Sequence, residues 1–81
     1  KKSLFSKECT AHEINFFIKN IKFPKEVDAK IRYNSKSSPA TIKIENKDLI
    51  IKFSEPQLAI TPGQSIVFYN GEQMIGGAII K

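Results

Sequence analysis

The sequence predicts an all-β fold, a small six-stranded antiparallel barrel, and three observations carry that prediction. Residues 40–54 fold into a hairpin with one self-consistent register, residues 60–80 read as turn, strand, turn, strand, and no stretch carries a clear amphipathic helix. A chain this short gains from closing its sheet, because closure removes the unpaired edges that a sandwich leaves open.

A first strand is expected through Leu4, Phe5 and the residues around Cys9. Thr10-Ala11-His12-Glu13 has capping-box spacing, yet the β-branched and aromatic run Ile14-Asn15-Phe16-Phe17-Ile18 favours a strand. The expectation is a tight turn followed by that strand. Residues 20–24 form a connector, with Pro24 placed at a strand start because it has no N–H to give a ladder. From Glu26 the alternation is strong: Val27, Ala29, Ile31 and Tyr33 point one way, Asp28, Lys30 and Arg32 the other. Asn34 to Pro39 is a polar loop.

The hairpin around Asn46-Lys47 pairs Glu45 with Asp48, Ile44 with Leu49, Ile42 with Ile51 and Ala40 with Phe53, leaving Thr41, Lys43, Ile50 and Lys52 on the other face. Glu55-Pro56 is expected to end its second strand, with Leu58 and Ile60 anchoring a crossing segment. Pro62-Gly63 has the chemistry of a type II turn, a fixed φ followed by a residue free to take positive φ. Asn70-Gly71 suits a two-residue hairpin loop, which pairs Tyr69 with Glu72, Phe68 with Gln73, Val67 with Met74 and Ile66 with Ile75. Both faces of this hairpin then carry apolar groups, so one fills the barrel and something further covers the other. Gly76-Gly77 removes two side chains where another backbone or a bend comes close.

At 81 residues, with 41% hydrophobic and 26% charged residues, the chain is one globular domain with room for one core. No apolar run approaches the ~20 residues of a membrane-spanning helix, and no signal-peptide pattern precedes the first strand. Lys1 stands where an initiator methionine would, so the sequence is expected to be a piece of a longer protein. Thirteen Lys and Arg against eight Asp and Glu give +5, which favours a polyanionic partner, although net charges of ~2–8 are also ordinary for soluble small domains. The single cysteine excludes an internal disulfide and suits a reducing, cytoplasmic setting.

Catalytic chemistry has little to stand on. Cys9 and His12 lie three residues apart but lack an orienting group and oxyanion donors, and Cys9 reads as a small apolar residue. Glu45, Asp48, Glu55 and Glu72 sit beside turns, where charge is readily solvated. Gly76-Gly77 is not followed by Lys-Ser/Thr and a helix, so it fails the phosphate-loop pattern. Arg32-Tyr33 combines a charged fork with a stacking face and hydroxyl, a pairing suited to RNA. Taken alone, it reads first as a solvated strand residue and a core-edge aromatic. Lys30, Lys36, Lys43 and Lys52 are candidates for phosphate contact, Lys30 and Lys36 foremost, and Lys30, Lys43 and Lys52 face outward in the expected register.

Several ordered motifs resemble one family. Ile60-Thr61-Pro62-Gly63-Gln64-Ser65-Ile66-Val67-Phe68-Tyr69-Asn70-Gly71, ending in Gly76-Gly77-Ala78-Ile79-Ile80, resembles the C-terminal end of the tRNA-specific 2-thiouridylases, the MnmA family. Ala29-Lys30-Ile31-Arg32-Tyr33 resembles its Lys-x-Arg-Tyr strand, and Ser54-Glu55-Pro56-Gln57-Leu58-Ala59-Ile60 its Glu-Pro-Gln-x-Ala segment. Leu4-Phe5-Ser6-Lys7-Glu8 continues the resemblance, which covers nearly the whole chain. Ala78 stands where the family often has a third glycine, and Phe17 where it often has tryptophan.

The resemblance implies that residues 1–81 are a single C-terminal barrel, similar to the second domain of elongation factor Tu, within a longer cytoplasmic enzyme. That enzyme replaces the C2 oxygen of the wobble uridine with sulfur, using ATP bound in an N-terminal domain and a cysteine persulfide charged by a sulfur-donor protein. The barrel assists tRNA binding without catalysing anything alone, and by resemblance Arg32, Tyr33 and Gln64 contact the tRNA. Two other readings stand beside this one: a purely structural barrel packed on its enzyme's other domains, and a stand-alone OB-like binder of single strands.

Overall fold

A computed structural model describes residues 5–31, 36–58 and 60–81; the Arg32 and Tyr33 positions lie outside them. Six strands form, β1 (Phe5–Phe16), β2 (Lys25–Lys30), β3 (Ser38–Glu45), β4 (Asp48–Leu58), β5 (Ser65–Asn70) and β6 (Gln73–Ile80). They close into a barrel in the order β1-β4-β3-β2-β5-β6, with every neighbouring pair antiparallel and β6 returning to β1. The barrel expected from the patterning is therefore the fold.

The β3–β4 hairpin has the register read from its alternation, from Glu45↔Asp48 through Ala40↔Phe53. Asn46 takes φ 60° in its loop, a conformation asparagine tolerates better than most side chains. Two prolines expected to lie outside strands lie within them. Pro39 sits one residue before the ladder to β4 begins, and Pro56 sits where β4 has left β3 and its register to β1 shifts between Ser6 and Glu8. Proline is tolerated at such ladder ends and irregularities because no ladder bond depends on its nitrogen there. Past Pro56, Gln57 Nε2 donates to Ser38 Oγ at 3.1 Å, tying the end of β4 to the start of β3.

The turn expected at residues 10–13 is a bulge in one continuous strand. His12 pairs with Ile79 and Asn15 with Gly77, so Glu13 and Ile14 together oppose Ala78. Glu13 carries φ 50°, the left-handed first residue of a glycine-type bulge. Before the bulge Cys9 and Ala11 face inward; after it Phe16 does.

The last hairpin also differs from its expected register. Its two-residue loop is Gly71-Glu72, with Asn70 paired to Gln73 and Gly71 at φ 66°, the pattern of a type II′ turn. Moving the loop by one residue moves each partner by two, which preserves faces, so Tyr69 and Met74 both point outward. Ile75 is then an extra residue between Tyr69↔Met74 and Phe68↔Gly76, and this bulge turns Ala78 and Ile80 inward. Met74 remains 46% exposed, while Val67, Tyr69 and Ile79 are half-buried, so the outer face is apolar as expected.

Ile42, Leu49, Ile51, Ile66, Phe68 and Ile75 fill the interior. Phe16 stacks on Phe68 and tilts against Phe23, each at 6.0 Å between ring centroids, extending the core beyond the strands. The Gly76-Gly77 pair allows this: a Cβ on Gly76 would stand 2.6 Å from both the Asn15 carbonyl oxygen and Phe16 Cδ1.

Candidate nucleic-acid interface

Lys30 ends β2, paired with Val67 of β5, and Lys36 and Ser37 lie just before β3. Antiparallel pairing brings these groups to one outer depression, lined by Lys30, Lys36, Ser37, Tyr69, Gly71 and Glu72. Two ammonium groups and a hydroxyl there can hold a phosphodiester, opposed by the single carboxylate of Glu72. Lys36 is exposed and Lys30 half-buried.

A second concavity adjoins the first. Glu26 and Asp28 of β2, Thr41 of β3, Lys52 and Ser54 of β4, and Asn70 line it. Tyr69 and Gly71 border both depressions. Asp28 stands directly across from Tyr69 in the β2–β5 ladder. Gly71 leaves the junction open, with nothing within 4 Å of where a Cβ would stand. Lys52 is thereby separated from Lys30 and Lys36, and Lys43 borders neither depression.

Gln64 closes the turn that the Pro62-Gly63 pair predicted. Gly63 takes φ 91°, and the Gln64 amide donates to the Thr61 carbonyl at 3.4 Å. Gln64 Oε1 accepts from the Thr61 amide at 2.9 Å, and the turn is pinned to β6 by Gly63 N–H to Ile80 O and Ile80 N–H to Gln64 O, both 2.8 Å. The side chain's oxygen is thus committed to the turn, which leaves Nε2 as its donor. Gln64 precedes Val67 by three residues, so it stands about 10 Å of strand from Lys30's partner. Gln64 does not line the lysine depression, so the two are separate points.

The Cys9–His12 pair does not exist as a site. Cys9 lies inside the barrel and His12 outside, because residues three apart on a strand point to opposite faces. Burial pushes the Cys9 thiol up to about 11, with the Glu8 carboxylate adding to the rise. Among the described residues no group of three or more His, Cys, Asp or Glu is placed to hold a metal ion. Sequence reasoning missed Tyr69, Ser37 and the acidic concavity; the alternation that turned Ile66 and Phe68 inward was the signal that could have put Tyr69 on the surface.

The family model described as the aminomethyltransferase beta-barrel domain matches residues 6–80. The chain belongs to that family. Among curated relatives of this aminomethyltransferase beta-barrel domain, the tRNA-specific 2-thiouridylase MnmA of Clostridium acetobutylicum is 46% identical over 83 residues, 100% of this chain and 23% of its own length. The protein of the same name from Clostridioides difficile is 50% identical over 80 residues, 96% of this chain and 22% of its own length. That of Acetivibrio thermocellus is 45% identical, again over 96% of this chain and 22% of its own. The motif resemblance read from the sequence is borne out by these relatives, and the barrel domain spans less than a quarter of their length.

Proposed function

We propose that this barrel is the C-terminal tRNA-contacting domain of a cytoplasmic tRNA 2-thiouridylase, seating the tRNA while other domains thiolate C2 of the wobble uridine. The observation that carries the reading is the match of essentially the whole chain, at 45–50% identity, to proteins named tRNA-specific 2-thiouridylase. The gathering of Lys30, Lys36 and Ser37 at one depression supports it, as does a net charge of +5. Arg32, Tyr33 and Gln64 are the proposed tRNA contacts, Gln64 through Nε2. A remote domain of this kind raises a rate by orienting its substrate.

ATP and the persulfide cysteine belong, in this proposal, to the rest of the enzyme, as does docking of the sulfur-donor protein. The glycines here do not fit a phosphate cradle, since Gly76 faces the backbone and ring of Phe16 and a Cβ on Gly77 would stand 3.1 Å from the Ile66 carbonyl oxygen. The barrel by itself is therefore proposed to turn over nothing. A structural interdomain role is a second reading, favoured by Phe17, 58% exposed, beside Met74, 46% exposed; the Phe17 amide bonds the Ile75 carbonyl at 2.8 Å.

Gln64→Glu separates the two readings, because it keeps the oxygen that accepts from Thr61 and removes the Nε2 donor. In the full-length enzyme, Gln64→Glu is expected to weaken tRNA binding severalfold with an unchanged melting temperature. Arg32→Ala is expected to weaken binding and flatten the log–log salt slope by about one unit if it neutralises a phosphate. Unchanged tRNA affinity in both variants would overturn the tRNA-seating role in favour of the structural one.

A further inference from the structure

We infer that Tyr69 is a stacking platform for one unpaired nucleotide, with its phosphate on the Lys30–Lys36 side and the hydrogen-bond donor edge of its base turned to Glu26 and Asp28. The inference rests on the reading of the chain as an RNA-contacting barrel and names a subsite within it. Tyr69 points outward from β5 and, with Gly71, forms the ridge between two depressions of opposite character. One side offers two lysines and the Ser37 hydroxyl against the single Glu72 carboxylate; the other offers the Glu26 and Asp28 carboxylates with Thr41 and Ser54 against the single Lys52 ammonium, so each side keeps an excess of one sign.

A nucleotide has this same polarity. Its phosphate is repelled by Glu26 and Asp28 and drawn to the lysines, while carboxylates accept from amino and imino groups on base edges. The aromatic face between them is suited to a base, and stacking of this kind requires a base free of its own helix, as in tRNA loops. Asp28 lies one strand spacing, about 4.8 Å, from the Tyr69 backbone, within reach of the edge of a base resting on the ring. Gly71, the other residue that borders both depressions, adds no side chain to the ridge. A basic peptide could also sit against the two carboxylates, but Lys30 and Lys36 across the ridge would oppose it, so RNA is the occupant favoured by both sides together.

The test uses the full-length enzyme and transcribed tRNA, with affinity measured against salt and melting temperature recorded for each variant. Tyr69→Leu retains apolar bulk and removes the aromatic face; it is expected to weaken tRNA binding at least about fivefold with an unchanged salt slope, from the usual worth of one stacked base. Tyr69→Phe is expected to bind within twofold of the parent. Lys30→Ala is expected to reduce the slope by about one unit. Asp28→Ala is the sharpest arm: removing a carboxylate near RNA tightens binding if the charge only repels, and weakens it if the carboxylate accepts from a base. Tyr69→Leu binding normally, or Asp28→Ala binding more tightly, would overturn the subsite while leaving the tRNA reading intact. A lowered melting temperature in Tyr69→Leu with normal tRNA affinity would overturn it in favour of packing against another domain. Absence of tRNA binding by the unmodified enzyme would overturn the broader reading instead.

Discussion

Gly76 stands opposite Phe16 in the β1–β6 ladder, and its lack of a side chain leaves room for the Phe16 ring and the Asn15 carbonyl. Gly76→Ala forces a Cβ to 2.6 Å from the Asn15 carbonyl and the Phe16 ring and to 3.0 Å from Phe16 Cα, so backbone must move. Such overpacking costs about 1–3 kcal/mol, read as a lower urea midpoint, whereas Gly77→Ala, 3.1 Å from one carbonyl oxygen, is expected to cost less. Equal midpoints for the two variants would remove the special role of Gly76. Cys9 makes a different residue-scale prediction. Its folded pKa, about 11, lies above the 9.0 of an ordinary thiol, so the folded state favours the neutral form. That contribution is full below pH 9 and is lost as pH rises from 9 through 11, where the unfolded chain ionises first. Cys9→Ala should therefore show a shallower fall in stability across that window than the parent. Identical pH profiles would sink the assignment.

At the scale of the element, β1 carries the least expected conformation. Glu13 is exposed yet sits at φ 50°, a left-handed geometry that disfavours its Cβ by roughly 1–2 kcal/mol. Glu13→Gly should relieve that strain and raise the melting temperature, despite the entropy glycine adds to the unfolded chain. The His12–Glu13 contact, 3.9 Å between exposed groups, is too weak to reverse this sign. A lower melting temperature for Glu13→Gly would show that the bulge is stabilised by the side chain rather than despite it. The bulge also explains why residues 10–13 read as a turn: the backbone does kink at Glu13, but inside a continuous strand.

For the whole molecule, one interior ring joins separate parts of the core. Phe68 is fully buried and stacked on Phe16, which in turn touches Phe23 in the connector before β2. Phe68→Ala should cost about 3–5 kcal/mol. A domain of this size has a total of roughly 4–12 kcal/mol, so the variant should be partly unfolded or close to it. Ile44 shares the inward alternation of β3 but is 44% exposed at the barrel's end, so Ile44→Ala should cost under about 1 kcal/mol. Denaturant titration of the two variants measures the difference. Similar midpoints would show that the core does not extend through Phe68 as described.

The sequence by itself determined the class of fold, the β3–β4 register, the Pro62-Gly63 turn and the family, because each depends on chemistry local to a few residues. Asn46-Lys47 and the alternation from Ala40 to Phe53 admit one pairing that buries the apolar face, and no distant strand is needed to choose it. Only the tertiary structure decided the bulges at Glu13 and Ile75, the course of β4 through Pro56, and the meeting of Lys30, Lys36 and Tyr69. Those follow from closing six strands into one ring: β1 must match β4 on one side and β6 on the other, and an extra residue is inserted where two registers set by different neighbours disagree. Lys30 and Lys36 were legible as surface cations, but their shared depression with Tyr69 comes from β2 lying between β3 and β5, an adjacency between segments more than thirty residues apart that no local pattern encodes.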